Sequence, residues 1–298
     1  MHYHPLGQSN LQASAISFGC MSLGNDEAHN TKLLHQAFGL GINYFDTADL
    51  YQQGRNELFV GKALKGRRDK VILATKVGNQ WRADGSGWDW NPRKDYIKAA
   101  VHHSLRRLQT DYIDLYQLHG GAIEDPIGET IEAFEELVQE GHIRYYGISS
   151  IRPNVIREYL QRSHITTNMM QYSLLDRRPE EQCLDLLHQH GVSVVVRGGI
   201  AKGLLAGKPA QAYLEHSREA VTEAQRLLQS LSSDKRSPAQ TALLYCLAHP
   251  AVATVACGIS REAQLLENVS ALEAPALTEE EIRVLREGIK AYAYEEHR

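Results

Sequence analysis

The sequence predicts an α/β protein: a TIM (β/α)8 barrel with an N-terminal β-hairpin and extra C-terminal helical segments, folded as a single domain over residues 1–298. Three observations predict it. Short β-rich runs alternate with helix-patterned segments, and the alternation repeats eight times. A doubly wound open sheet, the competing arrangement, would be expected to carry a Gly-x-Gly-x-x-Gly turn after an early strand, and none is present. No Pro/Ser/Gly linker or charge block divides the chain.

The opening YHPLGQSNLQASAIS has a turn-rich centre, Gly7–Asn10, between two short apolar patches, which predicts a hairpin. The barrel strands follow as AISFGC (15–20), NYFDTA (43–48), VILATK (71–76), IDLYQLH (113–119), IRYYGIS (143–149), TNMMQYS (167–173), VSVVVRG (192–198) and ATVACGI (253–259). Between them lie apolar residues at helical spacing, as in YIKAAVHHSLRRL (96–108) and IGETIEAFEELVQEG (127–141). Asp95 is placed to open the third helix, and Gly141 and Gly191 to close the fourth and sixth. The longest gap, before the eighth strand, holds GIAKGLLAGKP (199–209), a charged helix and SPAQTALLYCLA (237–248), so more than one helix is expected there.

With 43% hydrophobic and 23% charged residues the chain has ample material for a core. A net charge of −4 argues against nucleic-acid binding, and apolar runs such as VSVVV are too short to span a bilayer. The N-terminus lacks a signal pattern, and Cys20, Cys183, Cys246 and Cys257 show no metal spacing, so a cytoplasmic protein with free thiols is expected. His2 and His4 are read as exposed polar residues rather than metal ligands, and no metal is expected.

In such a barrel chemistry gathers at the C-terminal ends of the strands. The second strand offers Asp46 and, in the loop after it, Tyr51; the third ends in Lys76 and the fourth in His119. Each alone has a structural reading: a turn cap, a packed ring, a solvated strand end, a satisfied imidazole. Together they have the composition of a tuned proton donor. An ammonium favours phenolate and lowers the phenol's pKa, a carboxylate fixes the ammonium, and an imidazole orients a substrate oxygen. Carbonyl reduction needs such a donor.

NYFDTADLYQQGRNE, ATKVG, DYIDLYQLH and YYGISS resemble the successive signatures of the aldo-keto reductase family, and the likeness runs from LGQSNLQASAISFGCMSLG to LLENVSAL. The resemblance implies an NADPH (NADP+)-dependent reductase acting on a small-molecule carbonyl substrate, a monomer or weak homo-oligomer. Tyr51 would be the general acid, Lys76 would lower its pKa, Asp46 would pair with Lys76, and His119 would orient the carbonyl. The family's Ser-Asn pair after the fifth strand is here Ser149 and Ser150, and its Gln on the sixth strand is Met169. Strand periodicity puts Gln171 on the face of Met169, so Gln171 either replaces the missing amide at the nicotinamide carboxamide or is a buried partner of backbone groups. On the seventh strand the register of a stacking tyrosine falls on Arg197, which either stacks on the nicotinamide, disfavouring the positively charged oxidised ring, or pairs with a carboxylate. GGIAKGLLAGK resembles the loop over the pyrophosphate, implicating Gly198, Gly199, Lys202 and Gly203. GISREAQLLEN resembles the adenosine-binding segment, with Ser260 and Arg261 at a 2′-phosphate and Gln264 and Asn268 facing the adenine.

All three tryptophans, Trp81, Trp88 and Trp90, fall in WRADGSGWDW, read as a loop on the barrel rim. They either pin that loop as a small cluster or wall a substrate pocket suited to bulky hydrophobic or aryl carbonyls. Two rival functions are an NADP(H)-binding redox sensor with slow turnover and a Schiff-base aldolase using Lys76.

Overall fold

The computed structural model describes residues 1–298. An antiparallel hairpin, β1 (Tyr3–Pro5) and β2 (Gln12–Ser14), precedes β3 (Ile16–Gly19), α1 (Glu27–Gly39), β4 (Tyr44–Asp46), α2 (Arg55–Leu64) and β5 (Ile72–Val77). A second hairpin, β6 (Asn79–Trp81) and β7 (Trp88–Trp90), is followed by α3 (Lys94–Leu108), β8 (Ile113–Leu118), α4 (Ile127–Gln139), β9 (Ile143–Ile148), α5 (Pro153–Arg162), β10 (Thr167–Gln171), α6 (Cys183–Gln189) and β11 (Ser193–Arg197). Two helices, α7 (Arg218–Ser230) and α8 (Pro238–Leu247), fill the long gap before β12 (Val252–Gly258), and α9 (Glu262–Ser270) and α10 (Glu279–Gly288) complete the chain. β3, β4, β5, β8, β9, β10, β11 and β12 close into a parallel barrel in that order.

Two apolar clusters hold it together. The larger lies between strands and helices, and is why the strands read as continuous apolar runs. The smaller fills the barrel interior, where Leu6, Leu11 and Ala13 of the first hairpin meet Tyr44, Ile72, Leu115, Met169 and Val195. The hairpin therefore plugs the end where strands begin. Its turn residue Gly7 donates its amide to Ser193 Oγ at 2.7 Å, and His4 Nδ1 lies 2.9 Å from the Ala253 carbonyl.

Gly141 and Gly191 follow α4 and α6 with φ of 76° and 67°, the left-handed conformation a helix stop requires. α3 starts two residues earlier than expected. Arg93 is its N-cap, without a side-chain cap, and Asp95 lies inside the first turn. Glu129 of α4 accepts from the Lys94 amide at 3.0 Å, so a neighbouring helix supplies the missing acceptor. The tryptophan stretch is not a plain loop but the β6/β7 hairpin, with Trp81 opposite Trp88 and Asn79 opposite Trp90. A cross-strand indole pair is a stabilising feature of hairpins, and its residues stand far enough apart in sequence to miss a two-residue-turn signal.

Candidate active site

A cavity of about 1250 Å³ opens at the C-terminal end of the barrel. At its floor β4 ends in Asp46, and the chain continues through Thr47 to Tyr51. Thr47 Oγ1 donates to Asn56 Oδ1 (2.7 Å), and Asn56 Nδ2 donates to the Cys20 carbonyl (2.9 Å). Gln52 and Gln53 turn the chain with φ of 51° and 55°, and Gln52 Nε2 reaches the Leu23 carbonyl at 2.9 Å. Buried Glu57 accepts from Thr75 Oγ1 (2.6 Å) and Arg107 Nε (2.6 Å), joining α2, β5 and α3 beneath this turn. The phenol is thus carried by a turn tied down on three sides.

Lys76 has no exposed side-chain surface. Its Nζ donates to Asp46 Oδ1, to the Thr47 carbonyl at 2.8 Å and to the Tyr51 hydroxyl at 3.4 Å. Burial acts to lower its pKa, and the Asp46 carboxylate together with the Tyr51 hydroxyl more than offsets that, so the ammonium is retained. Such a lysine is unsuited to Schiff-base chemistry, which needs a neutral, accessible amine. Gln117, buried on β8, donates weakly to Asp46 Oδ2 at 3.4 Å. Tyr51 departs from expectation in one respect: burial raises its pKa, and Lys76 opposes the rise without reversing it. The ammonium's charge is largely satisfied by Asp46, which leaves less for the phenol.

His119 follows β8 and meets the Tyr51 ring edge-on, with centroids 5.8 Å apart. Neither ring nitrogen has a protein partner, and Nδ1 is buried. Burial, with the charges of Lys76 and Arg197, pushes its pKa down to about 3, so the imidazole is neutral at physiological pH. The unfolded chain binds this proton near the ordinary 6.5 and the folded chain near 3. Between those values the unfolded state holds more protons, so stability falls as pH drops. Replacing His119 by Gln is expected to shrink the loss of urea midpoint between pH 7 and pH 5 relative to wild type. An unchanged loss would contradict a buried neutral imidazole.

The remaining expected residues spread along the cavity. Ser149 and Ser150 line it after β9. The Ser150 hydroxyl accepts from the Arg152 amide at 3.2 Å, and its backbone is held by Asn168 through bonds of 3.2 and 3.1 Å. Met169 lines the wall beneath, whereas Gln171 is not in it. The Gln171 amide is committed to Asp176, Tyr213 and Arg197 side chains, so neither sequence reading, carboxamide ligand or partner of backbone groups, describes it. Arg197 stands exposed at the cavity with no carboxylate partner, which removes the ion-pair reading. Gly198, Gly199, Lys202 and Gly203 follow it along the wall. Lys202 and Gly203 take φ of 57° and 93°, and at Gly203 that left-handed backbone favours glycine, since any side chain there would be strained.

At the far end Ser260 donates through both its amide and hydroxyl to Gln264 Oε1 (3.0 and 3.1 Å). Arg261 is exposed, forms no ion pair, and caps α9 without a side-chain bond, leaving first-turn amides available. Asn268 is buried in the wall with Nδ2 lacking a partner. These features fit an elongated ligand with anionic groups near Lys202 and Arg261 and acceptors near Asn268.

The three indoles divide. Trp88 is exposed and lines the cavity, and Trp90 lines it while packing on the core. Trp90 lies so close to Gly78 that a Cβ there would come within 2.6 Å of its ring, and its Nε1 donates to Asp125 Oδ1 at 2.9 Å. Trp81 is half-buried outside the cavity wall with Nε1 unpartnered. Trp90 thus ties the hairpin to the core and, with Trp88, lines the cavity. Gln117, Asn168 and the Glu57–Arg107 pair escaped the sequence reading. The only signal was a polar residue within an apolar strand or a helix near the tyrosine, and without distances that does not single them out.

Residues 15–290 match the model of the aldo/keto reductase family. This chain belongs to the aldo-keto reductase family. The match makes it an oxidoreductase of a family that uses nicotinamide cofactors. It is 54% identical, over all of both chains, to the uncharacterized oxidoreductase YqkF of Bacillus subtilis. It is 34% identical to the NADH-specific methylglyoxal reductase of Escherichia coli, over 70% of this chain and 71% of that one. Among solved structures it resembles the holo form of aldo-keto reductase AKR11C1 from Bacillus halodurans, with a TM-score of 0.94 and 58% identity, covering 100% of this chain and 99% of that one. No helix is long and apolar enough to cross a membrane.

Proposed function

We propose that this aldo-keto reductase reduces aldehyde or ketone carbonyls to alcohols with NADPH, Tyr51 donating the proton. The observation that carries this is that Asp46, Tyr51 and His119 line the cavity together, with Lys76 buried against them and its ammonium 3.4 Å from the phenol. Bound NADPH supplies a hydride for the carbonyl carbon. The neutral His119 donates an N–H to the carbonyl oxygen and orients it toward Tyr51. Tyr51 passes its hydroxyl proton to that oxygen, and Lys76 stabilises the phenolate left behind. Asp46 keeps Lys76 charged and in place. Ser149, near Met169, would hold the carboxamide end, with Ser150 braced by Asn168, and Lys202 with the loop from Gly198 to Gly203 would bind the pyrophosphate. Arg197 would lie beside the nicotinamide and, as a cation, would disfavour its oxidised form. Trp88 and Trp90 give the substrate end an apolar wall suited to bulky carbonyl compounds.

The choice of NADPH rests on Arg261, an unpaired guanidinium at a helix start. Arg261→Ala is expected to weaken NADPH binding by about 10- to 100-fold, the worth of a charge-assisted contact to phosphate, and to leave NADH binding within about twofold. Titration of both nucleotides by tryptophan fluorescence, beside turnover with a panel of aldehydes, checks it. Equal loss for both nucleotides would remove the 2′-phosphate role. The NADH specificity of the methylglyoxal reductase relative makes the comparison informative.

A further inference from the structure

Arg197 is held in an unusual way for a cation beside a reaction site. Its Nη1 donates to Gln171 Oε1 at 2.8 Å, and that is its one side-chain bond. The Gln171 amide has no freedom to turn. Its Nε2 donates to Asp176 Oδ2 at 2.8 Å and to the Tyr213 hydroxyl at 3.2 Å. A carboxylate only accepts and a guanidinium only donates, so the amide between them must point its NH2 at Asp176 and its oxygen at Arg197. Asp176 is itself neutralised elsewhere. It has no exposed side-chain surface and takes Arg178 through two bonds, from Nε to Oδ1 at 2.7 Å and from Nη2 to Oδ2 at 2.8 Å. Arg178 in turn lies 5.1 Å over the ring of Tyr294 near the C-terminus. The chain places a carboxylate two bonds away from Arg197 and interposes a neutral amide. A glutamate at position 171 would neutralise Arg197 and face the Asp176 carboxylate. Glutamine fixes the guanidinium while leaving its charge intact, and that charge reaches the floor of the site, where it helps lower the His119 pKa.

We propose that Gln171 is a positioning residue which, oriented by Asp176 and Tyr213, holds Arg197 at the cavity with its charge unneutralised and so sets the preference for reduced over oxidised nicotinamide. This rests on the proposed placement of the nicotinamide beside Arg197. A guanidinium free to swing into solvent, or paired with an acid, would discriminate less between a neutral and a positively charged ring.

The test measures dissociation constants of NADPH and NADP+ for the full-length protein, by quenching of tryptophan fluorescence, without any turnover. The readout is the ratio of the NADP+ constant to the NADPH constant. Gln171→Met and Gln171→Glu are each expected to lower that ratio by about threefold or more, and Arg197→Met by at least as much. In the Arg197→Met background the Gln171 substitutions are expected to change nothing further. Tyr213→Phe removes one of the two groups that orient the amide, so it carries the same expectation at about twofold and decides the matter should position 171 prove intolerant. If Arg197→Met lowers the ratio but the Gln171 and Tyr213 variants do not, the positioning role is wrong and the functional reading stands. If Gln171→Met shifts the ratio equally with and without Arg197, Gln171 acts by another route and the inference is overturned. An unchanged ratio in Arg197→Met removes the nicotinamide from that residue, and the inference goes with it.

Discussion

Replacing Tyr51 by Phe is expected to lower kcat/KM for carbonyl reduction by about 10²- to 10⁴-fold, the usual worth of a positioned general acid. NADPH should still bind with wild-type affinity, because the ring remains and the hydroxyl's one protein hydrogen bond is to Lys76. The substitution is structurally mild: the phenol accepts one long bond and its ring edge contact with His119 needs no oxygen. Rates of NADPH consumption with an aldehyde panel, set beside nucleotide titrations of the same preparation, check it. Retained turnover would move the proton donor elsewhere in the cavity, with His119 the next group at hand. Binding without turnover in both proteins would favour the sensor reading over the reductase.

The second large effect is expected at Lys76. Lys76→Met leaves Asp46 buried without its ion partner, and breaking a buried pair from one side costs about 3–5 kcal/mol. Unfolding by urea should reveal the loss. Activity should also fall by about 10² or more, since no ammonium then stabilises the phenolate. The double variant Lys76→Met/Asp46→Asn separates the two effects. With neither charge buried alone, much of the stability should return, while activity should not. Stability that falls further in the double variant would mean that the pair contributes little and that Asp46 has a separate structural partner. Gln117 is the one to examine, its amide 3.4 Å from the carboxylate.

The fold was legible because its signals are local. Each barrel strand is a short apolar run, each helix repeats its apolar residues at helical spacing, and glycines stop two helices where expected. The order of Asp46, Tyr51, Lys76 and His119 on successive strand ends followed from the same pattern, since a parallel barrel brings every strand's C-terminal end to one face. The misreadings share a physical cause. The start of α3 is supported by Glu129 on another helix, and the tryptophan run folds back as a hairpin that puts Trp81 opposite Trp88 across strands. Both depend on a residue distant in sequence or on a cross-strand pair that periodicity does not encode.

The sequence by itself determined the barrel, the residue types at the site and their order around it. Backbone propensity and apolar periodicity act over a few residues and are written in the chain. Only the tertiary structure decided which charges meet: that Lys76 spends its charge on Asp46 so that burial still raises the phenol, that His119 is held neutral, and that Gln171 serves Arg197 instead of lining the cavity. Electrostatic and hydrogen-bond energies depend on distance, burial and orientation between residues far apart in sequence, and those quantities exist only once the chain has closed.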